Sequence, residues 1–208
     1  MLCYALRAIL RQRAMLQRIF LTLFVLAVSI GGGAASVWYL LGTQEGIGAL
    51  TVGGWTAFPK IGTPEADPYS KARIARDGVL SLGRAEGLTF VAERDSEDRP
   101  LRRDCSYNVT GSTPPARFWT LFAADKSLVV LDNGNGRHPA THSREILRRT
   151  DNSFTVAFGP HPVAGNWIPV AGAGPMTFLL TLYDTPIETS TGMEGIQLPQ
   201  VTRTVCDG

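Results

Sequence analysis

Histidine and cysteine are scarce in these 208 residues, with three of each, and several chemistries go with them. No Cys-x-x-Cys pair is present and no Cys/His cluster falls at zinc spacing, so a metal site has no support. No Gly-x-Ser-x-Gly elbow offers an α/β-hydrolase nucleophile, and neither a P-loop nor a dinucleotide fingerprint occurs. No cofactor is expected. Charged residues make up only 18% of the chain against 44% hydrophobic ones, which excludes an intrinsically disordered protein. Acids are missing altogether from residues 1–44, which carry Arg7, Arg11, Arg13 and Arg18. Residues 45–208 hold the other 16 basic groups and all 18 acids, a net of −2. A nucleic-acid partner would call for a basic excess there, and none exists.

Charge is absent again from residues 19–41, rich in Leu, Val, Ile and Phe. As a helix at about 1.5 Å per residue this run reaches roughly 34 Å, enough for a ~30 Å hydrocarbon core. The arginines before it and Glu45 after it predict a cytoplasmic basic N-terminus over residues 1–18, a transmembrane anchor over 19–41, and an exported domain over 42–208. That places the protein in a cell inner membrane, single-pass, with its domain on the periplasmic side. The alternative is a cleaved signal peptide, with residues 19–30 as its apolar region and Gly33-Ala34-Ala35 as its cleavage site. The apolar character resumes at Val37-Trp38-Tyr39-Leu40-Leu41, which favours the anchor.

Cys3 precedes the span, whereas Cys105 and Cys206 both follow it, an even pair for an oxidising compartment. A bond between them would close a loop of about 100 residues and staple the C-terminus to mid-domain. Two unrelated buried thiols are the other reading.

Past Gly42 the pattern turns to short alternating runs. Leu88, Phe90 and Ala92, then Cys105, Tyr107 and Val109, then Phe154, Val156 and Phe158, then Phe178, Leu180 and Leu182 each repeat with the period of two of a half-buried strand. Residues 117–123 and 128–131 are apolar on both faces, as strands covered twice would be. Ala124-Asp125-Lys126-Ser127 and Thr150-Asp151-Asn152-Ser153 read as hairpin turns. One helix stands out, with Asp67 as N-cap, Pro68 at its first position, Gly78 ready to end it, and small alanines (Ala72, Ala75) suited to lie close against a sheet. No βαβ alternation occurs. The expected fold is mainly β, an antiparallel jelly-roll-like sandwich with one short accessory helix, preceded by the membrane helix.

Ala66-Asp67-Pro68-Tyr69-Ser70-Lys71-Ala72-Arg73 and Gly78-Val79-Leu80-Ser81-Leu82-Gly83-Arg84-Ala85-Glu86-Gly87 resemble the family of unknown function numbered 1214. The likeness continues through Cys105-Ser106-Tyr107, Pro115-Ala116-Arg117-Phe118-Trp119-Thr120-Leu121, Gly165-Asn166-Trp167-Ile168-Pro169 and Leu182-Tyr183-Asp184-Thr185-Pro186. It covers residues 45–206, with Lys71 and Ser81 standing where Arg and Pro are expected. The resemblance implies a β-rich, jelly-roll-like fold and, for short members, a membrane-anchored form. It brings no catalytic residues.

The residues themselves suggest one binding constellation: Tyr69 and Arg73 on one helix face, Trp167 held between a Gly-Asn turn and Ile-Pro, and Tyr183 with Asp184 at a strand end. Aromatic faces and charges of this kind could grip a sugar or a lipid headgroup; the simpler reading makes Trp119 and Trp167 core. His138, His142 and His161 read as solvated loop or turn residues, and Glu97 and Asp98 as part of a solvated charged turn. Arg117, at the head of an apolar strand, is expected to be partly buried as a structural clamp, paired with Glu86, Asp67 or Asp184. The favoured function is a non-enzymatic envelope module that binds a partner protein or small ligand. An exported jelly-roll hydrolase acting on glycan or another envelope polymer is the alternative.

Overall fold

A computed structural model describes residues 2–42, 49–59, 63, 64, 66–77, 86–131, 139–186 and 195–206. The chain divides into two compact units, Met1–Gly46 and Ile47–Gly208. In the first, helix α1 (Leu2–Gly42) contains one segment long and apolar enough to cross a membrane, Met15–Tyr39. Phe20, Phe24, Ile30 and Trp38 on it are all exposed.

The second unit is mainly β. Its described elements are β1 (Leu50–Val52), β2 (Trp55–Ala57), α2 (Pro68–Asp77), β3 (Gly87–Ala92), β4 (Cys105–Gly111), β5 (Phe118–Ala124), β6 (Ala140–His142), β7 (Phe154–Gly159), β8 (Asn166–Pro169), β9 (Thr177–Tyr183) and β10 (Gln200–Cys206). A six-stranded sheet runs β1-β2-β3-β9-β5-β6 and a four-stranded sheet β10-β4-β7-β8. Neighbours pair antiparallel except β7 and β8, which are parallel. The two sheets share one core, where Phe178 of β9 meets Phe158 at 4.5 Å and Tyr107 at 5.8 Å, and Trp119 stacks on Phe154 at 5.0 Å.

The alternating residues of β3, β4 and β7 face this core as their period demands. Strand β9, central in the larger sheet, is buried on both faces from Thr177 to Leu182. The apolar run at 128–131 is not a covered strand. Asp125 Oδ1 accepts from the backbone N–H of Ser127 and of Val129, Leu128 takes a φ of 60°, and Val129 stays 61% exposed. A bridge between Ala124 and Val130 is its pairing there. The turn at 150–153 forms as expected, with Asn152 at φ 67° and Asp151 Oδ1 accepting from Ser153 N–H and Oγ.

Helix α2 starts where its N-cap dictates: Asp67 accepts from Ser70 N–H and from the Ser70 hydroxyl. Ala72 and Ala75 are exposed, so the alanines are not its packing face. Gly78 lies outside the described residues.

The charged turn between β3 and β4 is not simply solvated. Asp95 has a side chain 0% exposed. Its Oδ1 accepts from Glu97 and Arg99 N–H, and its Oδ2 from Arg99 Nε at 2.9 Å. Arg203 Nε of β10 lies 3.2 Å from the same Oδ2, an ion-pair contact without hydrogen-bond geometry. The Arg203 guanidinium also donates to Pro100 O and lies 5.5 Å from the Tyr107 ring centroid. Ser96 N–H donates to Val201 O. This turn therefore binds β10 into the sandwich. Cys105 and Cys206 are bonded, their Cα atoms 3.9 Å apart and 101 positions apart in sequence, after a bulge between Arg203 and Cys206.

Candidate functional site

The parallel pairing of β7 with β8 frames a cavity. Val156 pairs with Asn166 and Gly159 with Pro169, so the chain leaving β7 at Gly159 must travel back about 10 Å before β8 begins. Seven Cα steps reach at most about 25 Å. The surplus stands off the sheet as an overhang at residues 160–165, stiffened by Pro160 and Pro162, with Gly165 at φ 99° turning the chain into β8.

Beneath the overhang lies a cavity of about 570 Å³ on the outer face of the four-stranded sheet. Its floor is the outward set of three strands: Ser106 and Asn108 of β4, Thr155 and Ala157 of β7, Thr204 of β10. A Cβ on Gly159 would collide with the Ser106 hydroxyl and lie 3.0 Å from Ser106 Cβ, so any larger residue there would force Ser106 to move. Trp167 forms a wall; its Nε1 donates to Gly159 O at 3.1 Å, which leaves carbon as the surface the ring presents.

Arg148, Arg149 and His161 complete the walls. Arg149 donates Nη2 to Thr155 Oγ1 at 3.1 Å and Nη1 to Ser153 Oγ at 3.5 Å. Arg148 donates to Asn152 and places its guanidinium 5.8 Å from the ring centroids of both Trp119 and Phe154, capping that end of the core. Asn166 locks the wall in place through Leu147 N–H, Leu147 O and Thr155 O. Among the described residues the lining holds no carboxylate and no cysteine, and no group of three or more His, Cys, Asp or Glu is placed to hold a metal ion.

The expected binding constellation divides. Trp167 lines the cavity and is half-buried rather than core, whereas Trp119 is core at 2% exposure. Tyr183 and Asp184 do not line it. Tyr183 ends β9 in the other sheet, its ring 5.8 Å from Phe118, which also meets His142 at 5.4 Å. The side chains of Tyr69 and Arg73 lie outside the described residues, as does His138. His142 is not a loop residue: it ends β6, with Nε2 3.3 Å from Glu145 Oε2. Arg148, Arg149 and the hydroxyl floor escaped the sequence reading. Thr155 follows Phe154 and Ser106 follows Cys105, so the outward positions of strands already recognised were the available signal.

Residues 86–187 match the model of DUF1214, a family described as proteins of unknown function. That segment is similar to the DUF1214 family. The match takes in the β4, β7 and β8 parts of the cavity and ends before β10. The VPA0106 protein from Vibrio parahaemolyticus shares the fold at a TM-score of 0.53 and 17% identity, over 66% of this chain and 36% of its own. An uncharacterized protein from Burkholderia cenocepacia aligns at a TM-score of 0.41 and 14% identity, over 85% of this chain and 50% of its own. The chain thus spans about a third of the length of the Vibrio protein. No curated protein matches it.

Within the matched segment Arg117 departs from expectation. Its side chain is 79% exposed, and its guanidinium is 3.8 Å from Asp184, itself 72% exposed. The clamp is made by backbone instead: Arg117 N–H donates to Tyr183 O and Asp184 O, and Asp184 N–H donates to Glu86 O. Strand β5 begins one residue later, at Phe118, so the side chain never enters the sandwich. Exposed pairs of this kind contribute about 0–1 kcal/mol. Arg117→Ala is therefore expected to shift the urea midpoint by less than that equivalent; a loss of several kcal/mol would show the side chain to be structural.

Proposed function

We propose that the protein is a membrane-anchored, non-enzymatic binding module of the cell envelope, with its ligand seat beneath the 160–165 overhang. The observation that carries this reading is the lining of that cavity, in which hydrogen-bonding groups, an aromatic wall and guanidinium groups converge without a carboxylate among the described residues. Its volume falls within the ~300–1,000 Å³ of small-ligand sites. A glycan hydrolase of the common type needs two carboxylates flanking the scissile bond, which this lining does not supply. The basic N-terminus, apolar helix and disulfide support an N-in inner-membrane anchor with the domain on the periplasmic side.

Ala157, outward on β7 in the cavity floor, gives the test. Full-length protein solubilised from its own membrane in neutral detergent is expected to carry a small molecule detectable by mass spectrometry. Ala157→Phe, which fills the seat, is expected to arrive empty. An empty wild-type chain, or the same molecule on both, overturns the proposal.

A further inference from the structure

We infer that this seat takes an anionic saccharide, a ring polyol bearing a carboxylate or a phosphate; the inference rests on the binding-module reading above. Three independent features of the lining meet in that class.

The first is the sign of its charge. Arg148 and Arg149 line the cavity, and no described carboxylate does. Arg149 is the better placed to read an anion. Its guanidinium is held by two neutral hydroxyls, those of Ser153 and Thr155, which take two of its five N–H donors. Asp151 is close enough for Arg149 to lower its carboxyl pKa, though hydrogen bonds from Ser153 do so more strongly, and its Oδ1 is occupied by those bonds. No described carboxylate forms an ion pair with Arg149. A guanidinium fixed in orientation with donors to spare matches a carboxylate or phosphate in two parallel bonds.

The second is the floor. The Ser106 hydroxyl and Asn108 amide face outward into the cavity and make no side-chain hydrogen bond with the described residues. Such groups suit a ligand carrying several hydroxyls, and a bare anion would leave them unused. The third is the wall. With its N–H engaged by Gly159 O, the indole of Trp167 offers an apolar face for the C–H side of a sugar ring. Leu147 and Val163, 66% and 53% exposed, extend that apolar edge to the rim.

Calorimetric titration of the full chain in neutral detergent tests this with four probes: a glucuronate-containing disaccharide, glucose 1-phosphate, neutral cellobiose and inorganic phosphate. At least one acidic sugar is expected to bind about tenfold or more tighter than cellobiose, with a preference that shrinks as salt rises; which one does so separates carboxylate from phosphate. Arg149→Gln is expected to bring acidic and neutral sugars within about twofold, while Arg149→Lys keeps part of the difference. Equal affinities for acidic and neutral sugars, a preference that survives Arg149→Gln, or inorganic phosphate binding as tightly as its sugar ester overturns the inference. If no probe binds yet Ala157→Phe still strips a co-purified molecule, the anionic-sugar assignment falls and the seat stands. If Ala157→Phe leaves acidic-sugar binding intact, the seat itself is misplaced.

Discussion

Cys206→Ser is expected to destabilise the β unit by about 4.7 kcal/mol, the chain-entropy value for a loop of about 100 residues. Against a total of about 5–15 kcal/mol for a typical domain this is a large fraction. At roughly 2–4 °C per kcal/mol for a domain of this size, the melting temperature should fall by about 10–20 °C. The bond joins the ends of β4 and β10, and β10 is an edge strand whose described strand partner is β4. Reductant added to the wild type should reproduce the loss and should have no effect on Cys206→Ser. Oxidised and reduced wild-type protein unfolding at the same urea concentration would show that the bond adds nothing. Non-reducing peptide mapping, which should recover the two cysteine peptides linked, is the direct check on its formation.

Asp95→Ala should cost about 3–5 kcal/mol, because it removes the acid partner of a buried cation. Arg203, 16% exposed, would lose its counter-charge, and the N–H groups of Glu97 and Arg99 would lose their acceptor. Arg99 remains 42% exposed, so water screens part of its share and the lower end of the range is favoured. A pH dependence accompanies this. Burial pushes the Asp95 carboxyl pKa up, but hydrogen bonds from Arg99 and Glu97 outweigh it and leave the group below its usual 3.8. The folded state then binds the proton more weakly than the unfolded one. The contribution is complete above the unfolded value, near pH 4, and is lost as pH falls through the depressed folded value. Urea midpoints of wild type and Asp95→Ala should converge as pH drops below about 4; a gap unchanged to pH 2 would contradict the assignment. Asp95 and the disulfide both secure β10, so the double variant should lose less than the sum of the single losses.

The two features differ in how legible they were. The disulfide could be anticipated because only two cysteines follow the apolar helix. Asp95 could not, because what buries it is β10, a hundred positions away, and within Asp95-Ser96-Glu97-Asp98-Arg99 it looks like any other turn acid. Strands β3, β4 and β7 announced themselves through their period because each has one buried face. Strands β1, β2, β6 and β8 have three or four residues apiece, too few to display a period, and β10 presents one fully buried side chain, Val201. The run at 128–131 failed in the opposite sense: it is apolar in composition, but the Asp125 cap holds its first amides in a turn. The cavity was the least legible feature, since it depends on a parallel pairing that no local signal encodes. Its aromatic wall, Trp167, is nevertheless legible in the rigid Gly-Asn-Trp-Ile-Pro frame.

The overhang at 160–165 has a consequence for divergence among related proteins. It carries no side chain into the core, and its length exceeds what the return to β8 requires. Residues can be added or removed there at the slow entropic rate of a surface loop, about 0.6 kcal/mol per doubling of length, with the sandwich untouched. Each such change raises or lowers the roof over a floor that Gly159 and the short side chains of β4 and β7 hold fixed. If the cavity is the ligand seat proposed above, insertions in this single segment would shift it from one ligand size to another, and the strands beneath would give no sign of it.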